Sequence, residues 1–164
     1  MKKLPEIITE SELIKILKDT NKKHHITAFI LGFYQCMRVS EVVKLQEENI
    51  RRNMKMLLIK QAKGAKDRNI PISPNILKFL KEIPIKCGAR ALQIAFRLKA
   101  KEVLNKDLHF HNLRHSGATY YLNVRKWNLR QVQQFLGHSN IQTTQIYTHI
   151  SPQNLMEAMY KDGN

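Results

Sequence analysis

The sequence predicts an α+β domain that is mainly helical, with a small antiparallel β-sheet inserted among the helices, after the third one. Two observations carry this expectation. Apolar residues recur at helical spacing towards both ends of the chain. Between those regions lie short runs rich in branched aliphatic residues, separated by a loop that reads as a hairpin turn. There is no internal repeat, low-complexity tract or linker, so residues 1–164 read as a single domain, long enough to bury a sizeable core.

Taken in order, Thr9 and Glu12 form a capping-box pattern ahead of Leu13, Ile16 and Leu17. A second helix is expected over roughly 24–36, with Ile26, Phe29, Ile30 and Phe33 on its apolar face. Ser40 is the expected cap of a short third helix carrying Val42, Val43 and Leu45. Met54 to Ile59 and Arg68 to Ile72 read as strands around the loop Lys63-Gly64-Ala65-Lys66-Asp67, and Ile50 as the start of a weaker third strand. Ser73 followed by Pro74 marks a helix start. Helices are then expected at about 89–103, 111–123, 128–136, 140–147 and 152–160, capped by Asn128, Asn140 and Ser151 where a cap is visible.

Charge narrows the function. Lys and Arg number 28 against 13 Asp and Glu, a net charge of +15. Such a chain attracts polyanions, and nucleic acid is the commonest in a cell. On charge alone, a basic protein that binds no polyanion remains the alternative. Only Cys36 and Cys87 are present, without a CxxC pair, which argues against a disulfide scaffold or a thiolate zinc site and fits a reducing compartment. The N-terminus leads into a charged amphipathic segment instead of an apolar signal core. No apolar run approaches the roughly 20 residues a membrane span needs. A soluble, cytoplasmic protein is expected, associated with the nucleoid if its partner is DNA.

The chemistry concentrates in two segments. On a helix, His111, Arg114 and His115 stand at i, i+3 and i+4, so two imidazoles and a guanidinium share one face beside the apolar Leu113, Ala118 and Leu122. That clustering suits an oxyanion better than a structural face. Further on, Gly137 reads as a helix end, His138 falls in the connection, and Tyr147 lies about two helical turns beyond Asn140. Taken alone, Tyr147 is either a packing tyrosine or a nucleophile.

These residues resemble the tyrosine recombinases, the phage-integrase and Xer-like family. The run His111-Asn112-Leu113-Arg114-His115-Ser116-Gly117-Ala118-Thr119 is similar to the family's HxLRHSxAT signature. Leu136-Gly137-His138 followed by Thr143-Thr144-Gln145-Ile146-Tyr147-Thr148-His149 resembles its LGH…TTxxYxH box. Gly32 through Val42 is similar to the first arginine box, GxRxSE, and Lys63 through Ile72 to the KGxKxRxxPI hairpin. The four boxes fall in the family order and cover nearly the whole chain.

The resemblance implies a tyrosine-recombinase catalytic domain and assigns roles. Arg38 and Arg114 would clamp the non-bridging oxygens of the scissile phosphate. Tyr147 would attack phosphorus, leaving a 3′-phosphotyrosyl bond and a free 5′-hydroxyl. Lys63 would protonate the departing oxygen, in competition with Lys66 for that role. His111 would assist proton transfer, His138 would hydrogen-bond the phosphate, and Glu41 would support the arginines. His115 and His149 would be structural. Residues 152–160 would dock on a neighbouring protomer. The partners implied are double-stranded DNA and further copies of the protein, a tetramer in the full-length form. Family members usually carry an N-terminal helical domain that grips the opposite face of the DNA. Here the catalytic pattern starts almost at Met1, so that domain is expected to be absent, as in an excised domain, a naturally short protein or a fragment of an interrupted gene.

The chemistry is coherent without the family. Attack at phosphorus adds negative charge, which fixed cations or a metal must meet. No Asp and Glu cluster has metal-ligand spacing, so protein cations are the expected substitute, and no metal is expected. A covalent intermediate conserves the bond energy, and the absence of a GxxxxGK[ST] loop agrees with an ATP-independent, cofactor-free reaction. The rivals are a DNA-binding module that does not cut, a type IB topoisomerase-like activity, and a metal site using His109, His111 and His115, which lacks a completing Cys or acid.

Overall fold

A computed structural model describes residues 5–61, 66–137 and 152–161. Its first helix, α1 (Glu10–Lys18), opens with the expected capping box. The Glu12 amide donates to Thr9 Oγ1 at 3.2 Å and the Thr9 amide donates to Glu12 Oε2 at 2.8 Å. The next helix, α2 (Lys23–Tyr34), is buried on every side from Thr27 onward, so it forms the axis of the core. Packed around it are α4 (Ala89–Leu104), α5 (Phe110–Asn123) and a 3₁₀ segment, Pro74–Glu82. Phe29, Phe96 and Phe110 meet edge to face at this junction, with ring centroids 5.2 Å (Phe29–Phe96) and 6.2 Å (Phe96–Phe110) apart.

The close approach of α2 and α5 depends on Gly117. A Cβ there would lie 2.0 Å from the Phe33 carbonyl oxygen and 2.8 Å from Cys36 Sγ. Backbone cannot yield as a flexible side chain can, so the two helices would have to separate. Gly117→Ala is therefore expected to destabilise the fold by about 2–3 kcal/mol, read as a lowered midpoint in urea unfolding. An unchanged midpoint would mean that the helices tolerate a wider spacing.

The sheet follows α3 (Val39–Lys44). Three antiparallel strands run in the order β1 (Ile50–Arg51), β2 (Met56–Ile59), β3 (Arg68–Pro71). Ile50 pairs with Leu57 and Leu57 with Ile70, placing three buried aliphatics on the core face. Met54, expected in a strand, lies instead in a 3₁₀ turn that ends at Lys55 with φ +52°, so β2 begins two residues later. Ser40 is not the cap of α3. The helix starts at Arg38, because the Glu41 carboxylate turns back to accept the Arg38 amide at 2.9 Å. The start expected at Ser73-Pro74 is present but leads into 3₁₀ rather than α structure.

Towards the C-terminus, α6 (Leu129–Leu136) is capped as expected by Asn128, whose Oδ1 accepts the Gln131 amide at 2.9 Å. It ends at Gly137 with φ +71°. The last helix, α7 (Pro152–Tyr160), packs on its own domain, against β3. Leu155 and Met159 are buried there. Arg125 Nη2 donates to the Met159 carbonyl at 2.8 Å, Trp127 Nε1 to that of Ala158 at 3.3 Å, and Tyr160 Oη to that of Ile72 at 2.8 Å. Trp127 and Tyr121 are core residues. The helix expected at 140–147, with the caps Asn140 and Ser151, lies outside the described residues. Among the described residues no helix is long and apolar enough to cross a membrane.

Candidate active site

The turn after α2 delivers the first arginine. The amides of Gln35 and Met37 both donate to the Leu31 carbonyl, and Cys36 between them takes φ +51°. A side chain adopts that region at a cost of about 1 kcal/mol. The GxRxSE pattern carries glycine at this position, which explains the pattern, while this chain carries a fully buried cysteine. The turn aims the Cys36 carbonyl inward and releases Arg38 at the start of α3.

Glu41, one turn into α3, is buried and collects cations. Its Oε1 accepts Arg38 Nη1 at 3.2 Å and Arg68 Nη1 at 2.9 Å, and its Oε2 accepts Arg68 Nη2 at 3.3 Å. Arg114 Nη1 stands 3.9 Å from the same Oε2. Burial alone would raise the Glu41 pKa. The Arg68 hydrogen bonds and charge, the Arg38 amide and the Arg114 charge outweigh it and hold the carboxyl below its ordinary 4.5. Three guanidinium groups against one carboxylate leave the cluster net positive.

Arg114 sits on the inward face of α5 with only 4% of its side chain exposed, against 41% for Arg38. Its Nη1 donates to the Cys36 carbonyl at 2.7 Å and its Nη2 to the Leu136 carbonyl at 2.8 Å. The guanidinium thus caps the negative end of α6 and the turn after α2 together. Burial, with the neighbouring Arg38 charge, lowers its pKa from 12.5 to about 10, so it remains a cation at neutral pH. His111 lies one turn earlier on α5 and is exposed. Its ring meets that of His115 edge-on at 4.6 Å. Desolvation, followed by the charges of His115, Arg114 and Arg38, depresses the His111 pKa below the ordinary 6.5. His115 is depressed by desolvation and by Arg114.

Of the residues singled out from sequence, Arg38, Glu41, His111 and Arg114 are described, and Arg38, Glu41 and Arg114 converge on one point. Lys63, His138, Tyr147 and His149 lie outside the described residues. Lys66 is exposed on the hairpin. Sequence reasoning missed two members of the cluster. Arg68 begins β3, and Gln61 at the other limb of the hairpin donates from Nε2 to Glu41 Oε1 at 3.4 Å. Both limbs of the loop that carries Lys63 are thereby stapled to the carboxylate. The Arg in the KGxKxRxxPI pattern was the available signal, but nothing in a linear pattern pairs it with an acid 27 positions away. His109 is the cap of α5 and lies off the helical face, and among the described residues no group of His, Cys, Asp or Glu could hold a metal.

Fold and cluster together define a class: a helical domain that concentrates guanidinium groups where helix ends and a hairpin meet, a chemistry suited to an oxyanion. The phage integrase family model matches residues 6–96 and 89–154. The chain belongs to that family. It is 31% identical over 179 residues to the tyrosine recombinase of Thermosipho africanus (strain TCF52B), an alignment spanning 98% of this chain and 62% of that protein. The chain thus spans about three-fifths of the length of this curated relative. Among solved structures, the integrase from mycobacterium phage Brujita superposes with a TM-score of 0.81 at 18% identity, over 97% of this chain and 58% of that one. The XerH site-specific recombinase bound to palindromic difH substrate, a post-cleavage complex, superposes at 0.61 with 26% identity, over 99% and 54%.

Proposed function

We propose that this chain is the catalytic domain of a site-specific DNA recombinase or integrase. The observation that carries the proposal is the convergence of Arg38 and Arg114, from distant parts of the sequence, on the single carboxylate of Glu41. In this reading the two guanidinium groups hold the non-bridging oxygens of the scissile phosphate and neutralise the charge that grows as Tyr147 attacks. The tyrosyl oxygen bonds to phosphorus as the bond from phosphorus to the 5′-oxygen breaks. Lys63 supplies the proton to that oxygen, His111 assists in taking the tyrosyl proton, and His138 donates to the phosphate. The product is a 3′-phosphotyrosyl bond and a free 5′-hydroxyl. Attack by a 5′-hydroxyl reverses the step without ATP, since the phosphotyrosine retains the ester bond energy. Fixed guanidinium charge fills the place a metal would take.

Double-stranded DNA is the proposed substrate, supported by the net charge of +15 and by the solved complex of XerH with its DNA. Self-association on DNA, as a tetramer of the full-length form, and a cytoplasmic, nucleoid-associated location belong to the same proposal.

The test is a denaturing gel of the protein with end-labelled, nicked duplex fragments of the source genome in the presence of EDTA. Label retained by the protein through denaturation, and released by protease, supports the reading. Mobility shifts without retained label would favour a binding module that does not cut.

The depressed His111 pKa gives a pH dependence with a definite sign. A proton acceptor works in its neutral form, which persists until the pH falls through a pKa below 6.5. Adduct formation is therefore expected to hold level from pH 8 down to about 6.5 and to fall only in more acid solution. His111→Gln should be slower throughout and lack that acid limb. An unaltered acid limb in the variant would assign the titration to another group.

A further inference from the structure

We propose that Arg68 is a positioning residue: by occupying Glu41 it keeps Arg114 free for the phosphate. The inference rests on the reading above, in which Arg114 binds the scissile phosphate, and names a residue that none of the assigned roles includes.

Glu41 is buried, and Arg114 Nη1 lies only 3.9 Å from its Oε2. A carboxylate in that position is the natural partner of the nearest unsaturated cation. If Arg114 moved onto it, its Nη groups would be spent on Glu41 and the helix carbonyls, with less left for a phosphate. Arg68 prevents this by taking both oxygens in a forked contact, Nη1 to Oε1 at 2.9 Å and Nη2 to Oε2 at 3.3 Å. Its third donor, Nε, reaches the Phe135 carbonyl at 3.3 Å. The side chain is only 10% exposed, and each of its three donor nitrogens is already engaged inside the protein.

The neighbouring backbone is shaped to this guanidinium. A Cβ on Gly137 would lie 2.6 Å from Arg68 Cδ and 2.8 Å from its Nε. The end of α6 therefore receives two arginines side by side, Arg68 on Phe135 and Arg114 on Leu136. Only one of them is committed to the carboxylate. Arg38 cannot substitute for Arg68: its guanidinium reaches only Oε1, at 3.2 Å, and its amide, at 2.9 Å from Oε2, leaves that oxygen capacity for a second donor such as Arg114.

The test combines a structure and a rate. A crystal structure of Arg68→Met is expected to show Arg114 Nη1 within hydrogen-bonding distance of Glu41 Oε2. If Arg114 remains 3.9 Å away, the proposal is overturned. In the second arm, adduct formation on nicked genomic duplex is timed at saturating DNA, well below each protein's unfolding midpoint. Arg68→Met should slow it by about 100-fold with duplex affinity changed less than about threefold. The double variant Glu41→Gln/Arg68→Met has no carboxylate for Arg114 to join, and should recover to within about tenfold of wild type. A double variant no faster than Arg68→Met overturns the proposal, since a merely structural arginine leaves no reason for rescue at constant DNA affinity. If Arg68→Met alone does not fold, the double variant decides by the same margin. Should wild type give no adduct at all, the functional reading fails, while the structural arm still decides whether Arg68 holds Arg114 and Glu41 apart.

Discussion

Tyr147→Phe is expected to abolish covalent attachment to DNA, to below one part in about 10⁴ of the wild-type yield, while duplex affinity stays within about twofold. The substitution removes one oxygen and keeps the ring, so on the proposed mechanism it takes away the nucleophile alone. Water is a poor replacement, because it would have to be held in line with the leaving oxygen. The check is the denaturing gel beside a mobility-shift titration. Retained label in the Phe variant would sink the assignment of Tyr147 and direct attention to another nucleophile. Equal loss of adduct and of binding would instead assign the hydroxyl to a structural hydrogen bond.

Arg114→Ala is expected to be nearly as severe, but for two separable reasons. The buried guanidinium joins the Cys36 and Leu136 carbonyls, so truncation leaves two acceptors without that donor and a cavity between them. The stability cost should be about 3–5 kcal/mol, read in urea unfolding. Catalysis should fall by about 1,000-fold even in the folded fraction, because the proposed mechanism relies on a charge-assisted contact from Arg114 to the phosphate in the transition state. Arg114→Lys separates the two effects. One ammonium retains charge but cannot reach two carbonyls and a phosphate together, so it should recover part of the stability and little of the rate. A lysine variant with near-wild-type cleavage would show that point charge is sufficient.

Much of this was legible in the sequence, and what escaped notice has a consistent cause. Thr9-x-x-Glu12 and Asn128 gave their helix starts because capping is a local bond between residues three apart. The same rule misplaced the start of α3. Ser40 is a better intrinsic cap than Arg38, but Glu41 is drawn back to the Arg38 amide while its oxygens also serve Arg68. Tertiary charge overrode local preference there. Arg38, His111 and Arg114 were visible because each sits in a dense local motif. Arg68 and Gln61 were not, since their function arises only when the hairpin folds back on α3. The packing of α7 on β3 was equally invisible, since the Arg125 and Trp127 donors and the Ile72 carbonyl that hold it lie far from it in sequence.

The fit between Gly137 and Arg68 has a consequence for descent. Glu41 shares its charge among three arginines, and Gly137 is bare where one of them passes. A lone substitution at any of these positions leaves a buried ion without its counterpart or a side chain in occupied space. Paired replacement by neutral residues is far less costly. Lineages should therefore cross between alternative forms of this node by coincident changes and seldom by single steps. Positions 41, 68 and 137 should vary together among related sequences, or not at all.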